Sequence, residues 1–202
     1  MADSRIEVQK LYVSYFNRPA DTGGMDYWTD LLDTNPDALA AVSQSFATSA
    51  EYTDTFAGMD NRAIVNEVYQ NLFGRDAEEG GLNYWSDLLD RKIVTIDSVV
   101  LDIAEGAKGS DNIAFNGKIA GALLFTDRLD EPHEVAAYAG DEAIAIASQY
   151  LATIKDASSA LEALDTDVVD AWIERIAPPH QTGVAEVALV GVQTEADPLP
   201  VV

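Results

Sequence analysis

An all-α fold of tandem helical repeats is predicted by three features of this sequence. A 26-residue stretch recurs at a constant offset of 57 residues, apolar residues step at helical spacing through both copies, and only seven prolines interrupt 202 residues. Residues 8–33 align with residues 65–90 without a gap, and 13 of the 26 positions are identical. They include Tyr12/Tyr69, Phe16/Phe73, Arg18/Arg75, Gly23/Gly80, Gly24/Gly81, Tyr27/Tyr84 and Trp28/Trp85.

Each copy predicts about three helices. Val8, Leu11, Tyr12, Tyr15 and Phe16 share one helical face, as do Val65, Val68, Tyr69, Leu72 and Phe73. A second helix is expected after each glycine pair, carrying Tyr-Trp and Leu-Leu. A third is expected from Asn35-Pro36, an N-cap followed by proline at the first helical position, and from Thr95 or Asp97 in the second copy. A third, degenerate copy begins around Asp111, where Ile119, Ala122, Phe125 and Leu129 form a stripe and Gly117 and Gly121 lie four apart. Two further helices are expected over 134–154 and 166–176, ended by Pro178-Pro179. These readings divide the chain into repeat 1 (5–56), repeat 2 (57–110), the degenerate repeat with C-terminal helices (111–180), and an extended tail or linker (181–202).

The repeated core reads Arg-x-x-Asp/Glu-x-Gly-Gly-x-x-Tyr-Trp-x-x-Leu-Leu. Its glycines are expected to supply a sharp turn at φ values that other residues resist. Tyr27, Trp28, Tyr84 and Trp85 are expected to be buried rings. Arg18 and Arg75 each match a bidentate carboxylate partner, with Asp30 and Asp87, or Asp21 and Glu78, at hand. These residues form a structural signature first. The acidic loops make Asp21, Glu78 and Glu79 weak candidates for Ca²⁺, since their spacing is not that of the twelve-residue calcium loop. No other cofactor is expected.

The net charge is −23, from 35 acidic and 12 basic residues. Such a chain repels phosphate backbones, so nucleic acid is not an expected partner. No apolar run reaches the roughly 18 residues of a transmembrane helix. Cysteine is absent, which leans toward export, although the N-terminus shows no basic segment followed by an apolar one. No catalytic residues are assigned. His133-Glu134-Val135-Ala136-Ala137 starts like a zinc-protease helix, but Ala137 stands where the second histidine belongs.

The Tyr-x-x-x-Phe-x-Arg-x-x-Asp/Glu-x-Gly-Gly-x-x-Tyr-Trp pattern resembles a tandem helical domain of unknown function found in bacterial S-layer-associated and RTX, type I-secreted surface proteins. It is more distantly similar to phycobilisome linker domains. The resemblance covers residues 5 to about 130. It implies an all-helical fold at the cell surface or outside the cell, attached to surface polysaccharide, lipopolysaccharide or protein subunits, with self-association among the options. It implies no catalytic residues, and the RTX nonapeptides themselves are missing here. The expected function is therefore a non-enzymatic binding or assembly module. A stand-alone type I secreted protein, whose C-terminus is its export signal, is the alternative. A carboxylate-using hydrolase is the third reading.

Self-repulsion among so many carboxylates is screened by salt within about 8–10 Å. Monovalent salt is therefore expected to recover much of any stability that millimolar Ca²⁺ confers. Any further effect of Ca²⁺ is expected to come from bridging to anionic polysaccharide. A Ca²⁺-dependent rise in melting temperature at constant high ionic strength, with discrete calorimetric stoichiometry, would contradict that and point to Asp21, Glu78 and Glu79.

Overall fold

The computed structural model describes residues 4–178, which form twelve α-helices and no β-strand among the described residues. In chain order they are α1 (Ser4–Phe16), α2 (Thr22–Thr34), α3 (Leu39–Ala47), α4 (Ala50–Thr55), α5 (Asn61–Phe73), α6 (Glu79–Asp90), α7 (Ile96–Gly106), α8 (Ser110–Arg128), α9 (Pro132–Ala137), α10 (Asp141–Ala152), α11 (Ala157–Ala163) and α12 (Thr166–Ile176). The fold is all-α. Helices α5, α6 and α7 each begin 57 residues after α1, α2 and α3, so the offset of the sequence is also the offset of the helices. The tail from residue 181, with its expected strand or linker and export signal, lies outside the described residues.

Three helices form the hub, because α1, α5 and α8 all pack on one another. Their shared stripe explains it. Val8, Val65 and Ala122 stand 57 apart and are fully buried. Leu11, Val68 and Phe125, and then Tyr15, Leu72 and Leu129, repeat the pattern at the next turns. Helix α8 thus keeps the apolar face of a repeat's leading helix. The polar signature of the motif is gone from it, since Thr126 replaces the tyrosine and Pro132 the arginine. The remaining helices pack around it: Gly117 lies against Ala160 of α11, and Gly121 against Tyr150 of α10. A methyl group on Gly117 would come within 2.7 Å of the Ala160 Cβ, so these glycines permit close helix packing.

Several boundaries differ from the sequence reading. The second helix of each copy starts before its glycine pair ends, so the glycines lie inside the first turn of α2 and α6. None of the four has a positive φ, and the expected glycine turn is not there. Asn35 precedes a short 3₁₀ turn, Pro36–Ala38, rather than α3 itself, and its side chain makes no capping bond. Helix α4 is an additional element beyond the three helices expected of the repeat, and Ser49 caps it by accepting from the Tyr52 N–H. The stretch expected as one helix over 134–154 breaks between α9 and α10, with Gly140 at the start of α10. Asp156 then caps α11, another helix not foreseen.

One corner of the fold is finished differently in the two copies. In the first, the backbone after Arg18 is covered by the C-terminal part: Thr126 Oγ1 donates to the Ala20 carbonyl at 2.8 Å and the Tyr138 hydroxyl to the Pro19 carbonyl at 2.7 Å. In the second, Asp76 replaces Pro19 and accepts from the amides of Asn66 and Gln70, at 2.9 and 2.6 Å. The residues equivalent to Asn66 and Gln70 are Gln9 and Val13, both fully buried. Repeat 2 therefore ends in a polar corner where repeat 1 is roofed over.

Lys118 of α8 is fully buried, and its ammonium donates to the Asn71 carbonyl in the last turn of α5 at 2.5 Å. The helix C-terminus favours that positive charge. Burial, with a smaller contribution from Lys155, lowers its pKa from 10.5 to about 8. The folded chain then releases this proton near pH 8, while the unfolded chain holds it to about 10.5, so this residue makes stability rise with pH between those values. Lys118→Met is expected to remove that rise and to add about 1 kcal/mol or more at pH 7. Urea denaturation at pH 7, 8.5 and 9.5 checks it; an unchanged slope would mean that Lys118 is not the group titrating.

Candidate functional site

The repeated motif folds into an inner half and an outer half. Inside, the tyrosine of the leading helix is the pivot. Tyr12 is 5% exposed and Tyr69 is 8% exposed, and each hydroxyl sits against the second glycine of its pair. A methyl group on Gly24 would fall on the Tyr12 hydroxyl, and one on Gly81 would come within 2.8 Å of the Tyr69 hydroxyl. The Tyr12 hydroxyl also donates to the Asp21 carboxylate at 3.5 Å. Burial pushes the Tyr12 pKa up to about 12 and raises that of Tyr69. The glycine is needed for closeness rather than for a turn.

Arginine closes this inner half. The Arg18 guanidinium stacks over Tyr12 at 5.0 Å and over Phe16 at 5.4 Å; Arg75 repeats this over Tyr69 at 5.3 Å and Phe73 at 6.0 Å. Arg18 forks onto Glu51 at 2.7 and 3.0 Å, and Arg75 onto Asp111 at 2.8 and 2.6 Å. These are not the partners read from sequence. Asp30 and Asp87 lie on the outer part of α2 and α6, and Asp87 pairs with Arg91 instead. Asp21 is a distant second at 3.9 Å, and Glu78 joins Arg75 at 2.9 Å. Glu51 and Asp111 are each the second residue of a helix, α4 and α8, where the helix dipole also favours a carboxylate. For Arg18, burial works against the charge but the Glu51 bonds outweigh it and raise its pKa. For Arg75 the Asp111 bond is the leading cause of the same rise.

Outside, the picture departs from the sequence reading. Tyr27 is 63% exposed and Tyr84 58% exposed, so neither is a core ring. Trp28 and Trp85 are half-buried, each packed on the core with one side. Each tyrosine meets its tryptophan edge-on, with ring centroids 4.8 Å apart in the first copy and 5.0 Å in the second. The reason is helical spacing. Leu32 and Leu89 take the inward position, which turns the residue five before each of them outward.

The weak Ca²⁺ candidates are engaged in structural roles. Asp21 caps α2 by accepting from the Gly24 N–H at 2.7 Å, Glu78 bonds Arg75, and Glu79 bonds Arg62 at 3.0 Å. Among the described residues no three His, Asp or Glu side chains gather as a metal-binding group would require. A cavity of about 450 Å³ lies between Gly23 and Arg18 of the first copy and Val135, Tyr138 and Ile144 of the C-terminal helices. Another, of about 440 Å³, lies between α3, α4 and the start of α7. His133 is the second residue of α9, and no second histidine lies among the described residues.

The family described as a domain of unknown function, DUF4214, matches residues 5–56 and again residues 43–108. Together the two matches cover half of the chain, and each takes in one copy of the motif. The chain belongs to the DUF4214 family. The two DUF4214 matches overlap over residues 43–56, the end of α3 and all of α4, the segment that brings Glu51 to Arg18. No curated protein and no solved structure matches the chain.

The inner half makes a direct demand on the second glycine of each pair. Gly24→Ala is expected to cost about 1–3 kcal/mol, because Tyr12 must leave its seat. Thermal unfolding followed by circular dichroism measures it, and a melting temperature equal to that of the unsubstituted chain would contradict the contact.

Proposed function

We propose that this protein is a non-catalytic module of the cell surface or extracellular space, which associates with surface polysaccharide through Tyr27 and Tyr84. The observation that carries this reading is the pair of exposed rings, at equivalent positions of two copies, each braced by a half-buried tryptophan. Each ring touches its tryptophan edge-on and leaves most of its surface open to solvent. Tyrosine offers an apolar face and a polar tip, which suits a ligand that is itself apolar on its faces and polar at its rim. Isolated rings are small compared with the roughly 800 Å² per partner of a stable protein interface, which favours a glycan over a protein subunit. Two such rings on one chain engage a polymer by avidity.

The double substitution Tyr27→Ala/Tyr84→Ala tests it. The melting temperature is expected to stay within about 2 °C, since surface changes are worth about 0.5 kcal/mol or less. Retention on immobilised surface polysaccharide is expected to fall at least about tenfold, a loss of about 1.4 kcal/mol. Retention equal to that of the unsubstituted chain would remove the tyrosines from the site.

A further inference from the structure

The first glycine of each pair has no duty in the fold. Gly24 and Gly81 are pressed by tyrosine hydroxyls, but a methyl group on Gly80 would meet nothing within 4 Å. One on Gly23 would meet only the Asp21 carboxylate at 3.6 Å, an ordinary contact. Both glycines are exposed, both are helical, and neither has a positive φ. Alanine would favour the helix more. Yet both copies hold glycine here, although half of the aligned positions differ. Four residues on, one turn along the same helix face, stand Tyr27 and Tyr84.

We infer that Gly23 with Tyr27, and Gly80 with Tyr84, form two equivalent sites for an uncharged sugar ring, which stacks on the tyrosine and lies against bare backbone in the first helical turn. This rests on the glycan reading above and narrows it to a ligand class. The bare turn gives a flat body room beside the phenol, which a side chain at position 23 or 80 would take. Asp30 and Asp87, three residues beyond each tyrosine, hold carboxylate oxygens that accept hydrogen bonds from hydroxyl groups, Asp87 through the oxygen left over from its pair with Arg91. The surrounding chain, of net charge −23, repels uronate, sulfate or phosphate groups. A neutral ring with hydroxyls satisfies both conditions, and a polymer of such rings fits a site that occurs twice. Calcium bridging is then not required for binding.

The test is the full chain carrying Gly23→Ala/Gly80→Ala, applied in EDTA to an array of immobilised neutral and anionic glycans. The Tyr27→Ala/Tyr84→Ala chain serves as its comparison. The glycine variant is expected to melt at the same or a higher temperature than the unsubstituted chain, and to bind neutral glycans at least about tenfold more weakly. If it binds them as the unsubstituted chain does, while the tyrosine variant does not, the bare turn is no part of the site and the wider reading stands. A fall in melting temperature would give the glycines a folding role and overturn the inference. Binding by the unsubstituted chain to anionic glycans alone, or to none on the array, overturns the ligand class.

Discussion

The seating of a tyrosine hydroxyl against a glycine in the first turn of the next helix is the contact on which the rest of this structure depends. It brings α2 down onto α1, and α6 onto α5, at a distance no side chain allows. Everything else in the motif serves that closure. The arginine stacks over the same tyrosine and forks onto a carboxylate from the next segment of chain, Glu51 or Asp111. One residue type lost from this set removes the reason for the others, as in α8, where Thr126 and Pro132 stand in for tyrosine and arginine and no glycine pair comes after them.

That loss shapes the whole molecule. The third leading helix keeps its apolar stripe and completes a hub with α1 and α5, and its own partners α10 and α11 pack by a different rule, through Gly117 and Gly121. The C-terminal helices then roof the corner of repeat 1 through Tyr138, while repeat 2 closes its own corner with Asn66, Gln70 and Asp76. The two copies share a motif and differ in neighbours. Positions that differ between them, such as Val13 and Gln70, record that difference in surroundings.

The helices of the two copies were legible because an offset of 57 and a helical stripe are both local signals. Of the partners of Arg18 and Arg75, Glu78 and the more distant Asp21 were legible, whereas Glu51 and Asp111 were not, since they depend on where α4 and α8 begin. Ser49 before Ala50-Glu51-Tyr52 was the available cue for α4, a capping serine ahead of an acidic first turn. The identity of Tyr27 and Tyr84 in both copies was visible, but identity alone does not say which ring faces inward. Trp28 and Leu32 compete with Tyr27 for the core side of α2, and only the placement of α1 decides between them. The glycine pair carried a similar ambiguity, since a turn and a close approach ask for the same residue. The structure separates them: the second glycine of each pair is needed inside, and the first is left facing out.

The central claim is that each motif splits into an inward half that folds the helix pair and an outward half that meets a ligand. Titrating the isotopically labelled chain with a neutral polysaccharide, and following ring and amide resonances by NMR, addresses both halves at once. The account predicts shifts at the rings of Tyr27 and Tyr84 and at the amides of Gly23 and Gly80, over the same range of ligand concentration, with Tyr12 and Tyr69 unmoved. Shifts confined to α8–α12, or shifts at Tyr12 and Tyr69 with the outer tyrosines silent, would contradict it.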